Sequence, residues 1–134
     1  MPWSRLFPIV LVVLGVLLAG GDPIDRRLSA CIDRDPTTAG MVRCSEEALQ
    51  AWDQEMRRTL QGLEARLDPE ARQRLAEAQR RWEAFRTAEE GFIRELYGRK
   101  AGTMYRPMEV GEVVDLVRQR TLRLRSYLRV TREE

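Results

Sequence analysis

A twelve-residue stretch in the middle of the chain, LAEAQRRWEAFR, constrains the fold more than any other. Four of its apolar residues follow one another at steps of three, four and three: Leu75, Ala78, Trp82 and Phe85. This spacing places them on one face of an α-helix. The two aromatic rings can each bury on the order of 150–250 Å² of surface. We therefore predict that this helix is the packing centre of the protein.

Start signals border this helix and the one before it. Asp68 can cap a helix and Pro69 is favoured at its first position, so we predict a helix from Pro69 to about Gly98. Ser45 is a favourable N-cap for an earlier amphipathic helix of about twenty residues. The apolar stripe of that earlier helix consists of Leu49, Trp52, Met56, Leu60, Leu63 and Leu67.

A third amphipathic helix is predicted to begin near Met108, after a loop over residues 98–107. Its inner stripe consists of Val110, Val113, Val117, Thr121, Leu124 and Leu128. Three stripes of similar length predict an all-α fold, a small antiparallel three-helix bundle with a disulfide-closed N-terminal loop. The residues expected to form the core are Trp52, Met56, Leu75, Trp82, Phe85, Val117 and Leu124.

The N-terminus has the pattern of an export signal over residues 1–21. Arg5 supplies a positive charge, residues 6–18 are mostly apolar, and small residues precede a predicted cleavage before Asp22. The apolar run is short for a membrane span of about 20 residues. An uncleaved N-terminal anchor is the alternative, and in either case residues 22–134 form one domain outside the cytoplasm. We expect no stable membrane span after cleavage.

The chain has two cysteines, Cys31 and Cys44. In an exported protein they most simply pair with each other, which would stabilise the fold by about 3 kcal/mol. Free or intermolecular thiols are the alternative. The spacing between the two residues excludes a CxxC redox pair.

Composition argues against an enzyme and against a cofactor or metal site. The chain has no histidine, which is the commonest general base and metal ligand, and two cysteines exclude a four-cysteine zinc site. No glycine-rich phosphate loop is present. The net charge of +2 argues against a dedicated nucleic-acid binder.

Two features have both a functional and a structural interpretation. The arginine-rich third helix is either a binder of anionic surfaces or a face partnered by acidic residues of the other helices. Trp52 and Trp82 either stack on sugar rings or pack in the core, and their helical spacing favours the core.

The order of several motifs resembles the LprI-like lysozyme-inhibitor family. The motifs are a cysteine followed by MVRC at 41–44, WDQEM at 52–56, the AQRRWEAFRTA segment at 78–88, and LVRQR at 116–120 followed by Leu124 and the Tyr127-Leu128 pair. The resemblance spans about Ala30 to Leu128. It implies an exported bacterial helical domain that binds and inhibits lysozyme and so protects cell-wall peptidoglycan.

The chain departs from the family pattern at two glutamates. Members of the family often have a second disulfide, and Glu90 and a position near Glu112 correspond to its cysteines. The resemblance suggests that these carboxylates approach each other across two helices, with Arg86 and Arg94 placed to intervene. The alternative is that both glutamates point into water.

An inhibitor acts by occluding the lysozyme cleft, which contains acidic catalytic groups. Two loops are predicted to offer partner-binding side chains. The candidates are Asp33, Asp35, Thr37 and Thr38 in one loop and Arg99, Lys100, Tyr105 and Arg106 in the other. The competing hypotheses are an envelope protein-interaction module without affinity for lysozyme and a purely structural accessory domain.

Overall fold

The computed structural model describes residues 21–133, and that part of the chain consists of four α-helices without a strand. Helix α1 spans Pro23–Arg34, α2 spans Thr38–Glu64, α3 spans Pro69–Gly98 and α4 spans Tyr105–Val130. The predicted all-α class is confirmed, but the three-helix count is wrong. Residues 1–20 of the predicted signal peptide lie outside the described range.

Helix α1 occupies the segment that was predicted to be an N-terminal loop. Asp22 caps it by accepting a hydrogen bond of 2.8 Å from the Ile24 N–H, and Pro23 occupies its first position. Asp22-Pro23 is thus the same start signal as Asp68-Pro69. Ile24 and Cys31 are seven residues apart and buried, so this short helix presents one narrow apolar face to the bundle.

Helix α2 begins eight residues before the predicted start. Thr37 is its N-cap, accepting a 3.0 Å hydrogen bond from the Gly40 N–H, whereas Ser45 is buried inside the helix. A side chain at Gly40 would overlap the carbonyl oxygen of Asp35. Glycine therefore permits the tight turn of three residues that connects α1 and α2.

The later boundaries are closer to the predictions. Asp68 caps α3 by accepting a 2.8 Å hydrogen bond from the Ala71 N–H, so the predicted start at Pro69 and the end at Gly98 are confirmed. Helix α4 begins at Tyr105 instead of Met108, which shortens the preceding loop to six residues. None of the described helices combines the length and the apolar character needed to cross a membrane.

Helices α2 and α4 form the central pair and run parallel to each other. Thr121 contacts the carbonyl oxygen of Trp52, and Leu128 lies next to Gly62, so residue numbers increase in the same direction along both helices. The chain therefore travels up, down, up and down through α1 to α4. As a result, the α1–α2 connection and the α3–α4 loop lie at the same end of the bundle.

The core lies between the central pair and α1. Trp52, Met56, Val117 and Leu124 are at most 4% exposed, which confirms these four predicted core residues. The helix that was predicted to be the packing centre, α3, is instead peripheral: among its residues only Ile93 is buried.

Three predicted core residues lie on this peripheral helix. Leu75 and Trp82 are only partly buried at the edge of the core. Phe85 is 51% exposed, so its assignment to the core is wrong. The physical reason is that α2 and α4 already bury each other's stripes and α1 covers a further side. Little apolar surface remains for α3 to cover.

Candidate partner-binding surface

The first predicted loop is a tight, braced turn. The predicted disulfide between Cys31 and Cys44 is confirmed, with the Cα atoms 5.8 Å apart. It links the last turn of α1 to the second turn of α2, so it cross-links two helices and does not close a long loop. Asp35 follows α1 directly, and its carboxylate accepts hydrogen bonds from the Thr37 hydroxyl at 2.7 Å and from Arg43 at 3.1 Å.

Most of the candidate partner-binding residues in this loop stabilise the turn between α1 and α2 instead. The Thr37 hydroxyl, followed by Arg43, holds the pKa of the Asp35 carboxyl below its ordinary value. Thr37 caps α2 and Thr38 is its first residue. Asp33 is exposed on the last turn of α1 and is the candidate best placed to contact a partner.

The second predicted loop presents basic side chains. Arg99 and Lys100 are exposed directly after α3, and Arg99 forms an ion pair with Glu95. Arg106 is exposed on the first turn of α4 and pairs with Glu109 at 2.8 Å. Tyr105 is only partly exposed, and its ring lies 3.7 Å from the position of a Cβ at Gly102, whose φ of +118° turns the loop back.

Sequence reasoning missed two exposed methionines at this end, Met104 and Met108, which are 55% and 45% exposed. Tyr97 in the last turn of α3 donates a 3.0 Å hydrogen bond to Glu112 at the end of the second turn of α4. The residues of α4 that precede Glu112 therefore project beyond the end of α3. The sequence does show two methionines four residues apart, a spacing that places side chains on one face of a helix. That spacing becomes informative only when α4 is known to begin at Tyr105 and not at Met108.

The most distinctive motif residues brace helices instead of facing a partner. Arg86 of α3 pairs with Asp53 of α2 at 2.6 Å and with Glu90 at 2.6 Å. Arg120 of α4 donates two hydrogen bonds to the Gln79 side chain, at 3.0 and 3.1 Å. The guanidinium groups of both arginines lie 5.9 Å from the centre of the Trp82 ring system. We call this set the α3 clamp.

The α3 clamp perturbs its arginines in opposite directions. The hydrogen bond to Asp53 raises the pKa of Arg86, and burial lowers the pKa of Arg120. Both arginines remain charged at neutral pH because the ordinary pKa of the group is so high. Each of them therefore contributes a permanent positive charge beside Trp82.

A second clamp holds α1 against the central pair. Arg118 of α4 pairs with Asp25 of α1 at 2.9 Å. Arg125 pairs with Asp22 of α1 and, at 2.9 Å, with Glu55 of α2. Both guanidinium groups lie over Trp52, 5.8 and 5.4 Å from its ring centre. We call this set the α1 clamp.

The two clamps support the structural interpretation of Arg118, Arg125 and the two tryptophans. Arg118 and Arg125 are partnered by acidic residues of the other helices, as the structural interpretation of the arginine-rich helix predicts. Trp52 is fully buried and has no face for a sugar, and Trp82 lies between two arginines.

Glu90 and Glu112, the two glutamates at which the family pattern suggests a second disulfide, have different partners. Arg86 binds Glu90, as expected, and Tyr97 binds Glu112. The hydrogen bond to Glu112 raises the pKa of the Tyr97 hydroxyl. The described residues include no group of three or more acidic or cysteine side chains that could hold a metal ion.

The chain matches the model of a known protein family. The model of the family described as "Lysozyme inhibitor LprI" matches residues 31–124, which is most of the chain. The protein belongs to the LprI lysozyme-inhibitor family. This is a family of inhibitors and not of enzymes. Its membership and the disulfide are both consistent with an exported protein.

One solved structure extends the LprI comparison. The crystal structure of an uncharacterised protein from Burkholderia thailandensis is 34% identical to this chain, with a TM-score of 0.79. The alignment covers 85% of this chain and 57% of the Burkholderia protein. This chain therefore spans little more than half the length of the Burkholderia protein. A search of curated proteins gives no match.

Proposed function

We propose that this protein is exported to the periplasm or secreted by means of a cleaved signal peptide at residues 1–21. We further propose that it binds lysozyme, occludes the cleft and so protects cell-wall peptidoglycan. Membership of the LprI family supports lysozyme as the partner. The observation that carries the binding mode is that both predicted loops lie at the same end of a braced bundle. We call this end, with Asp33, residues 99–104, Arg106 and Met108, the loop end.

The chemistry of the loop end suits an acidic cleft with a cationic rim. A glycosidase of this type cleaves its substrate with a pair of carboxyl groups, which a basic loop complements. Arg99 and Lys100 supply that basic loop. Asp33, on the neighbouring last turn of α1, supplies a negative charge for the rim. Met104 and Met108 offer flexible apolar contact surface between the charges.

Rigidity also supports this role. The disulfide and the Asp35 hydrogen bonds hold one half of the loop end, and the Tyr97–Glu112 hydrogen bond holds the other. A surface that is ordered before binding loses less conformational entropy when the complex forms. An inhibitor that must compete with a polymeric substrate benefits from that saving.

A lysis assay tests the proposal. Purified protein is added in molar excess to lysozyme, and the clearing of a cell-wall suspension is followed by turbidity. We expect the wild-type protein to slow lysis. The double variant Arg99→Glu/Lys100→Glu should bind at least about tenfold more weakly, because two attractions become repulsions.

The matched control is Arg129→Glu/Arg132→Glu, which makes the same charge change on exposed residues at the opposite end of the bundle. It should inhibit as well as the wild type. Undiminished lysis at a large excess of wild-type protein, for lysozymes of several classes, would reject the inhibitor role. A protein captured from envelope extract that lysozyme does not displace would instead support the interaction-module hypothesis.

A further inference from the structure

One side of α3 exposes an apolar stripe, which begins with Phe85 at the edge of the α3–α4 groove and continues away from α4. Phe85, Phe92 and Leu96 are 51%, 58% and 44% exposed, and Ala88 between them is also exposed. Phe85 and Phe92 are seven residues apart and therefore lie on the same side of the helix. Two exposed phenylalanines and a leucine in one row mark an interaction surface more often than isolated apolar residues do.

Charged residues border this stripe in a pattern that is self-complementary about Ala88. Arg81 lies seven residues before Ala88, and Glu95 lies seven residues after it. Glu77 lies eleven residues before Ala88, and Arg99 lies eleven after it. At 100° per residue Glu77, Arg81 and Glu95 share the face of Ala88, and Arg99, the C-cap residue directly after α3, continues that face in a helical backbone conformation. Each charge therefore has an opposite charge at the mirrored position.

These charges are accessible and are already oriented along the helix. The side chains of Arg81, Glu95 and Arg99 are 81%, 62% and 78% exposed. Arg81 pairs with Glu77 at 2.7 Å, and Arg99 pairs with Glu95 in the same way one turn apart. Exposed pairs of this kind stabilise a single helix little. They can still select orientation and register when two such helices meet.

We propose that this face of α3 binds the same face of a second copy of the chain, antiparallel, about a two-fold axis at Ala88. Phe85 then packs against Phe92 of the partner subunit. Arg81 lies opposite Glu95 of the partner subunit, and Glu77 lies opposite Arg99 of the partner subunit. The small side chain of Ala88 allows the two helices to approach closely at the axis.

The charge pattern selects this arrangement over a parallel one. In a parallel pair each residue faces its own copy, so Arg81 would lie beside an arginine and Glu95 beside a glutamate. The antiparallel pair replaces these repulsions by four attractions. The two glutamates next to Ala88 point away from the axis: Glu89 lines the α3–α4 groove with Arg120 and Arg123, and Glu90 pairs with Arg86.

Charge-swap variants and the molar mass in solution test the proposal. Light scattering on the wild-type protein should give a mass that rises with concentration toward two chains. Arg81→Glu and Glu95→Arg should each weaken self-association at least about tenfold, because each creates two like-charge contacts. The double variant Arg81→Glu/Glu95→Arg should associate as the wild type does.

The decisive sample is an equimolar mixture of the two single variants. In a mixed pair every position 81 again faces an opposite charge at position 95, so the mixture should dimerise although each component alone does not. The matched control is Arg27→Glu on α1, which lies on the opposite side of α4. It should dimerise normally. These charged side chains are exposed, so circular dichroism should show folded protein throughout.

Several results would overturn the proposal. They are a single-chain mass at all concentrations, a mixture that stays monomeric, and an Arg27→Glu variant that dissociates like Arg81→Glu. Loss of lysozyme inhibition in Arg81→Glu without a change in mass would assign the stripe to lysozyme instead. Arg99 belongs to both proposed surfaces, but Arg81 lies outside the loop end. Monomeric Arg81→Glu should therefore retain inhibition if the loop end binds lysozyme, and this variant separates the failure of one proposal from the failure of the other.

Discussion

Helices α2 and α3 have similar capping and apolar patterns but very different environments. Each has an N-cap that accepts a backbone N–H, and each is amphipathic with one tryptophan on its apolar face. Yet Trp52 of α2 is fully buried, whereas Trp82 is partly exposed and Phe85 is half exposed. Periodicity shows that a helix has an apolar face, and neighbouring helices decide how much of that face is covered.

The number of neighbours explains the difference. Helix α2 packs along α4 and is covered by α1 on another side, while α3 lies mainly against α4. Polar contacts compensate on α3: the α3 clamp attaches it through Arg86, Gln79 and Trp82. The attachment of α3 is thus more polar and less buried than that of α2.

The largest expected contrast concerns the two tryptophans. Trp52→Ala should lower the free energy of unfolding by about 3–5 kcal/mol because it leaves a cavity in the core. Trp82→Ala should cost less, about 1–2 kcal/mol, because Trp82 lies at the edge of the core and is only partly buried. Urea unfolding followed by circular dichroism measures both values. Equal losses would contradict the view that α3 is peripheral.

A milder change at the same site refines that contrast. The indole N–H of Trp52 is buried and has no acceptor among the described residues. Trp52→Phe keeps an aromatic ring and removes this donor, so it should cost clearly less than Trp52→Ala.

Removal of the disulfide should have the next largest effect. The double variant Cys31→Ser/Cys44→Ser is expected to lose about 3 kcal/mol of unfolding free energy, since the unfolded chain is no longer constrained. Because the bond joins α1 to α2, hydrogen exchange should increase most in α1. Faster exchange confined to α3 would contradict this assignment.

Double-mutant cycles on two ion pairs of α3 should separate its inner and outer faces. The Arg86–Asp53 pair is largely buried, with both side chains less than a quarter exposed, and should give a coupling of about 1–2 kcal/mol. The exposed Arg81–Glu77 pair should give less than about 0.5 kcal/mol. Similar couplings would show that the inner clamp does not attach α3 to α2.

Acid should weaken the α1 clamp before the apolar core is affected. Burial alone would raise the pKa of Asp22, but hydrogen bonds from Arg125 and the Ile24 N–H hold it below the ordinary 3.8. The Asp22 contribution is complete above that value and is lost as pH falls through the lowered pKa. Between pH 5 and strongly acidic solution, the wild type should lose up to about 1 kcal/mol more stability than Asp22→Asn. Parallel pH profiles would contradict this.

The smallest expected change lies on the outer face of α3. Phe92→Ser should leave the unfolding free energy of the isolated chain within about 0.5 kcal/mol of the wild type, because Phe92 is 58% exposed. The measurement is made at low concentration so that self-association does not contribute. A loss near that of Trp52→Ala would show that Phe92 is buried in the single chain.

Local signals accounted for much of the fold. The cap and proline at Asp68-Pro69 located α3, and the two cysteines of a chain expected to be exported indicated the disulfide. The same cap signal is present at Asp22-Pro23, but the apolar pattern that follows is too short to predict α1 as a helix. Asp35 caps the end of α1 and Thr37 caps the start of α2. These roles could not be recognised before the helix boundaries were known, so both residues were predicted to be partner contacts.

The sequence alone therefore determined the all-helical class, the family and the pairing of the cysteines, since these depend on local spacing and residue type. Only the tertiary structure decided which apolar stripe became the core. Trp52 and Phe85 look alike in a pattern of apolar steps. One is covered by two neighbouring helices and the other is left at the surface, because burial depends on how many elements pack around a helix. The tertiary structure likewise brought the two loops to one end and left the aromatic face of α3 exposed.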